Sequence, residues 1–416
     1  MTRTDREPDP RISRRTFLWS AAAVAATGLV ACTSEPDDET DAPVPDAASP
    51  TSVAPIVCDP AAGSGGGSSP LWATAIANGI VYGSSAATWQ LQDTEYRRLF
   101  ERETALVFTE DDLLWWRLKP TPDAPLDFRF GDRLVGFAEQ ERLAVLGAHL
   151  VWDEGFGDGW TDDDVWTLSA DAARRLLYGT IDEVVAHYRG RIAAWIVANE
   201  VLDGTGLRLD FPWHATIGPS FVPESFRRAH EADPDALLLL NDFGYETDDD
   251  LALAEDKRAT TLELLDELLA DDVPVHGLGV QAHLAAAGFD EAFDADAYRA
   301  FLGEVAARGL GVWITELDVL DDALPPDPKE RDAGVAAALQ RYLDVALAEP
   351  AVSTVVTFGL SDRYTWLQED FPRDDGAPRR PLLFDEALDP KPAFDALRTA
   401  LSSASRREPP FLPPRC

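Results

Sequence analysis

Eight short apolar runs, each followed by a longer amphipathic stretch, constrain this chain more than any other feature. The runs cover 79–83, 105–109, 144–152, 193–200, 236–241, 277–283, 311–316 and 352–358. Short runs bounded by turn residues and rich in Val, Ile, Leu or Trp read as buried strands. Between them lie stretches with helical spacing, for example 171–188, 260–269 and 333–348. Eight strands alternating with helices predict an α/β fold, a (β/α)8 TIM barrel forming one domain over 71–405. In that architecture the chemistry sits at the C-terminal ends of the strands. Those ends carry Glu200, Asn241 with Asp242, Gln281 with His283, Glu316 with Asp318, and Asp362.

Trp195-Ile196-Val197-Ala198-Asn199-Glu200 and Val312-Trp313-Ile314-Thr315-Glu316-Leu317-Asp318 each carry a glutamate at the end of an apolar segment. Placing a carboxylate there costs free energy unless it has a partner or a task. A structural salt bridge is one solution, but neither segment contains Lys or Arg. Two glutamates on one scaffold are also the minimum equipment for hydrolysing a glycosidic bond, one giving a proton to the leaving oxygen and the other attacking or activating water.

The formal net charge of −38, from 74 acidic and 36 basic residues, excludes whole classes of partner. Nucleic acid and anionic lipid surfaces both call for a basic footprint. An uncharged polysaccharide is compatible with this balance. The body shows no internal repeat, no transmembrane segment and no nucleotide-binding glycine motif, so no cofactor and no metal is expected, and the protein is expected to be a monomer.

The first 32 residues read as a targeting segment. Arg14-Arg15-Thr16-Phe17-Leu18 opens an apolar stretch to Ala31, too short for a confident membrane span. The twin arginines resemble a Tat export signal, and Leu29-Val30-Ala31-Cys32 resembles a lipobox that would lipidate Cys32. Residues 33–70, rich in Pro, Ser, Gly and Asp, read as a flexible linker. The expected location is the extracellular face of the cell membrane through that lipid anchor, or free secretion. Cys58 and Cys416 then flank the folded body, and in an exported protein such a pair can form a disulfide. Residues 406–416 are expected as a C-terminal tail.

Six segments, in order, resemble glycoside hydrolase family 10, the endo-1,4-β-xylanase family. They are Glu110-Asp111-Asp112-Leu113-Leu114-Trp115; Trp195 to Glu200; Glu231 to Ala236 with Asn241-Asp242; Gly277 to Leu284; Ile314 to Asp318; and Pro381 to Asp385 with Pro390 to Ala393. The resemblance implies a (β/α)8 glycanase that cleaves xylan with retention of configuration. Glu200 would be the general acid/base and Glu316 the nucleophile. A retaining mechanism brings such carboxyls to about 5–5.5 Å. Asn199 would hold the hydroxyl beside the attacked carbon. His283 would hydrogen-bond Glu316 and Asp318 would support that histidine, while Gln281 would orient the nucleophile or the sugar. Glu110, Asp111, Trp152, Asp153, Phe358 and Trp366 would meet substrate, whereas Trp195 reads as core.

Three positions depart from the family pattern. Leu114 stands where the family has a sugar-binding lysine, Asp153 where it has a histidine, and Phe358 where it has a tryptophan. A shift of register would let His149 supply the missing imidazole. These changes leave the reaction type untouched but bear on the glycan. Two other readings therefore stand beside a xylanase: a related β-glycanase with another specificity, and an extracellular lipoprotein that binds oligosaccharide without cleaving it.

Overall fold

The computed structural model describes residues 69–249 and 252–416. Eight parallel strands close into a barrel: β1 (Val81–Ala86), β2 (Leu106–Thr109), β3 (Ala144–Gly147), β4 (Ala194–Asn199), β5 (Leu237–Asp242), β6 (Gly277–Val280), β7 (Gly311–Leu320) and β8 (Val352–Thr357). Each pairs with the next, and β8 closes the ring on β1 through Val81 opposite Thr354. The expected (β/α)8 architecture is the observed one.

Helices between the strands cover the outside. The stretch expected over 171–188 forms Ala170–His187, where the Ser169 hydroxyl accepts the Ala172 amide. The stretch expected over 333–348 begins earlier, at Pro328, because Asp327 caps it and proline suits the first helical turn. The stretch read over 260–269 is longer still, Ala254–Ala270.

Two apolar layers result. One lies between strands and helices. The other fills the barrel itself, with Leu106, Leu146, Ile196, Leu239, Trp313 and Val356. The bottom of the barrel is closed by Trp72 and Ile76, from the helix Leu71–Ile76, and by Phe411 from the C-terminal segment. That segment, read from sequence as a tail, is a strap. Arg407 donates to the carbonyls of Leu347, Glu349 and Val352. Arg415 lies over the Trp72 ring. Cys416 is disulfide-bonded; Cys58, its expected partner, and Cys32 lie outside the described residues. Among the described residues no helix is long and apolar enough to cross a membrane.

Two strand ends differ from the sequence reading, and both shape the site. The run 144–152 ends as a regular strand at Gly147 and meets β4 again through the Leu150 and Val151 amides on the Ile196 and Val197 carbonyls, with Val151 opposite Ala198. The run 311–316 continues to Leu320, and there pairs with a short strand, His283–Ala285, with His283 opposite Asp318.

Candidate active site

The cleft at the C-terminal ends of the strands is lined by Glu200 and Glu316 together with Glu110, Asp111, Trp152, Gln281, His283, Asp318, Phe358 and Trp366. Glu200 leaves the end of β4 in a left-handed conformation, φ 56°. Glu316 is carried within β7.

The two glutamates sit in different surroundings. Glu200 accepts Trp152 Nε1 at 3.0 Å and Gln281 Nε2 at 2.8 Å. Glu316 accepts Asn241 Nδ2 at 2.8 Å and lies 3.5 Å from His283 Nε2. Asn199 Oδ1 joins the two halves, accepting Asn241 at 2.7 Å and Gln281 at 3.3 Å. Thr315 fixes the Asn241 amide by donating to its oxygen at 2.7 Å. Asn199 lies beneath the cleft wall, and its own Nδ2 is buried without a partner. A buried donor left open in an otherwise satisfied network is a position prepared for an acceptor.

His283 is the charged element. Its Nδ1 lies 2.8 Å from Asp318, which also accepts Trp366 Nε1 at 2.7 Å. Burial alone would lower the histidine, but the carboxylates of Asp318 and Glu316 outweigh it and raise it to about 10. At neutral pH it is an imidazolium between two carboxylates, donating from both nitrogens.

Aromatic rings line the floor. Trp152, His149, Phe108, Phe358 and Trp366 follow one another at centroid spacings of 5.1, 5.9, 5.7 and 6.3 Å. The end rings are the ones whose indole nitrogens grip Glu200 and Asp318. Apolar ring faces with a few polar groups at their edges suit the alternating faces of a sugar ring.

At the three departures, Leu114 and Phe358 line the cleft. Asp153 does not. It is absent from the lining, and its carboxylate pairs with Arg208 at 2.9 Å. The expectation that it meets substrate is corrected by that ion pair: a buried carboxylate beside a guanidinium is held by it. Burial lifts Asp153 to about 6; Arg208 opposes the rise and the charge of Glu200 adds to it. A second imidazole in the cleft, besides His283, is His149. Burial lowers it to about 4 against the pull of Glu316, so it is neutral at pH 7, and its Nδ1 is buried without a partner.

Glu110 and Asp111 line the cleft. Ser85 and Gln90 hold Glu110, at 2.8 and 3.1 Å, and Trp89 donates to Asp111 at 3.0 Å. Sequence reasoning placed Asn241 at a strand end but gave it no part in the site, although a polar residue closing four consecutive leucines was a usable signal. Phe108, Glu246 and Phe371, also in the lining, carried none. Trp195 is core, as read. Among the described residues no group of His, Cys, Asp and Glu could hold a metal ion.

A (β/α)8 barrel that brings two glutamates, unlike in their partners, into one aromatic-floored cleft defines a glycoside hydrolase. The comparisons agree. A family model, glycosyl hydrolase family 10, matches residues 71–400, and the chain belongs to that family. It is 31% identical over 319 residues to a beta-1,4-xylanase of Dictyoglomus thermophilum, covering 74% of this chain and 85% of the relative. It is 29% identical over 314 residues to endo-1,4-beta-xylanase B of Thermotoga neapolitana, covering 74% and 84%. Among solved structures, xylanase 10B of Thermotoga petrophila in complex with xylobiose superposes with a TM-score of 0.71 at 29% identity, over 80% of this chain and 98% of that one.

Proposed function

We propose that this protein is an endo-1,4-β-xylanase that hydrolyses xylan with retention, by double displacement. The observation that carries the reading is the pairing of Glu200 and Glu316 in one cleft with opposed surroundings. Glu316, beside the His283 cation, is the nucleophile: it bonds to the anomeric carbon while Glu200 gives its proton to the departing oxygen. Glu200, then a carboxylate, takes a proton from water, which displaces Glu316 and restores both groups. The open Nδ2 of Asn199 donates to the hydroxyl next to the reacting carbon. His149, neutral and in the cleft floor, offers an imidazole where Leu114 and Asp153 offer none.

Xylan is supported by the xylanase relatives and by the xylobiose-bound neighbour. The cleft chemistry also favours an uncharged chain. Nine acidic residues line it and, among the described residues, no Lys or Arg does. Such a cleft repels a polyanion and accepts a neutral glycan.

The test is a panel of xylan, mixed-linkage β-glucan and carboxylated glycans, with the fresh product anomer read by NMR. Release of β-anomers from xylan is expected. Initial α-anomers would contradict the double displacement. Binding without release would return the protein to the oligosaccharide-binding reading.

The targeting segment supports an exported enzyme tethered through a lipid on Cys32; mass spectrometry of the membrane fraction, before and after Cys32→Ser, tests the tether.

A further inference from the structure

Glu200 is held in a backbone conformation that side-chain-bearing residues seldom adopt, φ 56°. Residues in that region persist where the surroundings over-determine them. Its amide donates to the Asn241 carbonyl at 3.0 Å. Its own carbonyl accepts Arg208 Nη1 at 2.9 Å. Arg208 follows a small hairpin, Leu202–Asp203 against Gly206–Leu207, and its amide closes that hairpin on the Val201 carbonyl at 2.9 Å.

The same guanidinium is gripped by Asp153, Nη2 to Oδ2 at 2.9 Å and Nη1 to Oδ1 at 3.4 Å. The two side chains are only 17% and 12% exposed, so the fork is mostly shielded from water. Two-point contact of this kind fixes direction as well as distance. Asp153 directly follows Trp152, whose indole donates to the Glu200 carboxyl. Consecutive residues of one loop thus reach both ends of Glu200: Trp152 touches its carboxyl, and Asp153 acts on its main chain through Arg208.

We propose that Asp153 and Arg208 are a positioning pair for the proton donor: Asp153 orients Arg208, and Arg208 pins the Glu200 carbonyl and so aims its carboxyl at the leaving oxygen. The inference rests on the reading of Glu200 as acid/base. It gives the position where the resemblance led us to expect a sugar contact a different task. Neither residue lines the cleft.

Such a pair affects protonation of the leaving group, not capture of the sugar. Misplacing a reacting group by an ångström costs on the order of 100-fold. The full chain and its Asp153→Ala, Asp153→Asn and Arg208→Lys variants are compared on two substrates. Xylan has an alcohol leaving group that needs a proton. A 2,4-dinitrophenyl β-xylobioside releases a phenolate that does not. Expected for Asp153→Ala is a fall in kcat/KM on xylan of roughly 10- to 100-fold. On the dinitrophenyl glycoside kcat/KM stays within twofold and Kd for xylobiose is unchanged. In the second step Glu200 must deprotonate water, so kcat on the dinitrophenyl glycoside falls, and azide, a nucleophile with no proton to lose, restores it. Arg208→Lys, keeping charge without the fork, shows the same pattern.

An equal fall in kcat/KM on both substrates is what a merely structural ion pair gives, and it overturns the proposal. Unchanged kinetics, or a tenfold weaker xylobiose Kd, overturns it too. Asp153→Asn keeps the side chain's shape and serves as the deciding variant if the alanine variant does not fold. A parent chain that cleaves neither substrate removes the acid/base reading itself, a result distinct from any of these.

Discussion

Glu200 Oε1 and Glu316 Oε1 are the two ends of one hydrogen-bonded relay, through the side-chain amides of Gln281, Asn199 and Asn241. The carboxyls are therefore spaced by side chains of three different strand ends and not by direct contact. Each amide is turned by its neighbours, so a disturbance at the middle reaches both glutamates.

Gly279 makes room for that middle. A Cβ built there would stand 2.1 Å from Asn241 Oδ1 and 3.1 Å from the Thr315 methyl. Gly279→Ala displaces the Asn241 amide, which cannot then serve both Asn199 and Glu316. Crowding a packed site of this kind costs about 1–3 kcal/mol of stability. The expected result is a measurable loss of stability in urea together with a fall in kcat of about tenfold or more from misplacement alone. Unchanged kcat in a folded Gly279→Ala protein would show that the relay does not space the carboxyls.

Removing either glutamate separates their roles. Glu316→Ala is expected to lower turnover on all substrates by at least about 10⁴-fold while xylobiose still binds. Glu200→Ala is expected to cost about 10²–10⁴-fold on xylan, the usual worth of a general acid. Steady-state rates and calorimetric binding check both. A Glu316→Ala enzyme with near-normal turnover ends the assignment.

The His283 imidazolium gives the site an alkaline limit. Its folded value, about 10, lies above the ordinary histidine value of 6.5. A group raised on folding stabilises the native state fully below its unfolded value, and that contribution is lost as pH climbs through the folded one. Stability is thus expected to decline from about pH 6.5 to about pH 10 through this group. In His283→Asn that slope flattens. Urea midpoints at closely spaced pH values, parent against variant, supply the comparison.

Lys257 tests the support behind the cleft. Its ammonium pairs with Asp242 at 2.9 Å and donates to the Leu202 carbonyl at 2.7 Å, with both side chains essentially inaccessible to solvent. Lys257→Met strands a buried carboxylate and is expected to destabilise by about 3–5 kcal/mol. The double variant Lys257→Met with Asp242→Asn is expected to recover part of the loss. A single variant as stable as the parent would mean Asp242 is already neutral.

The acidic lining predicts discrimination by charge. Hydrolysis of a neutral arabinoxylan is expected to exceed that of a glucuronate-bearing xylan, and the gap is expected to narrow with salt. Screening shortens from about 30 Å at ~0.01 M to about 3 Å at ~1 M. A ratio that ignores ionic strength would mean the preference is steric.

Much of this was legible in the chain. A strand such as Ala194–Asn199 announces itself, because burial on both faces demands an unbroken apolar run. The polar residue closing the run then falls at the mouth of the barrel. Hence Glu200, Gln281, Glu316 and their neighbours could be gathered from sequence. What escaped were relations between distant segments. Asp153 meets Arg208, 55 positions away, only because a hairpin carries the arginine back. His149 enters the cleft because the regular strand ends at Gly147, a change of path that an apolar stretch from 144 to 152 conceals. The C-terminal strap has no periodicity. Arg407, Phe411 and Arg415 are held singly, by carbonyls and rings that other segments supply.

That strap, with the helix Leu71–Ile76, puts both ends of the described chain on the same side, where Arg398 also reaches the Ser69 carbonyl at 2.8 Å. The catalytic mouth opens at the opposite pole. Ser69, where the described residues begin, therefore sits at the rear of the molecule. A long polymer can then be threaded across the front without meeting either end of the described chain.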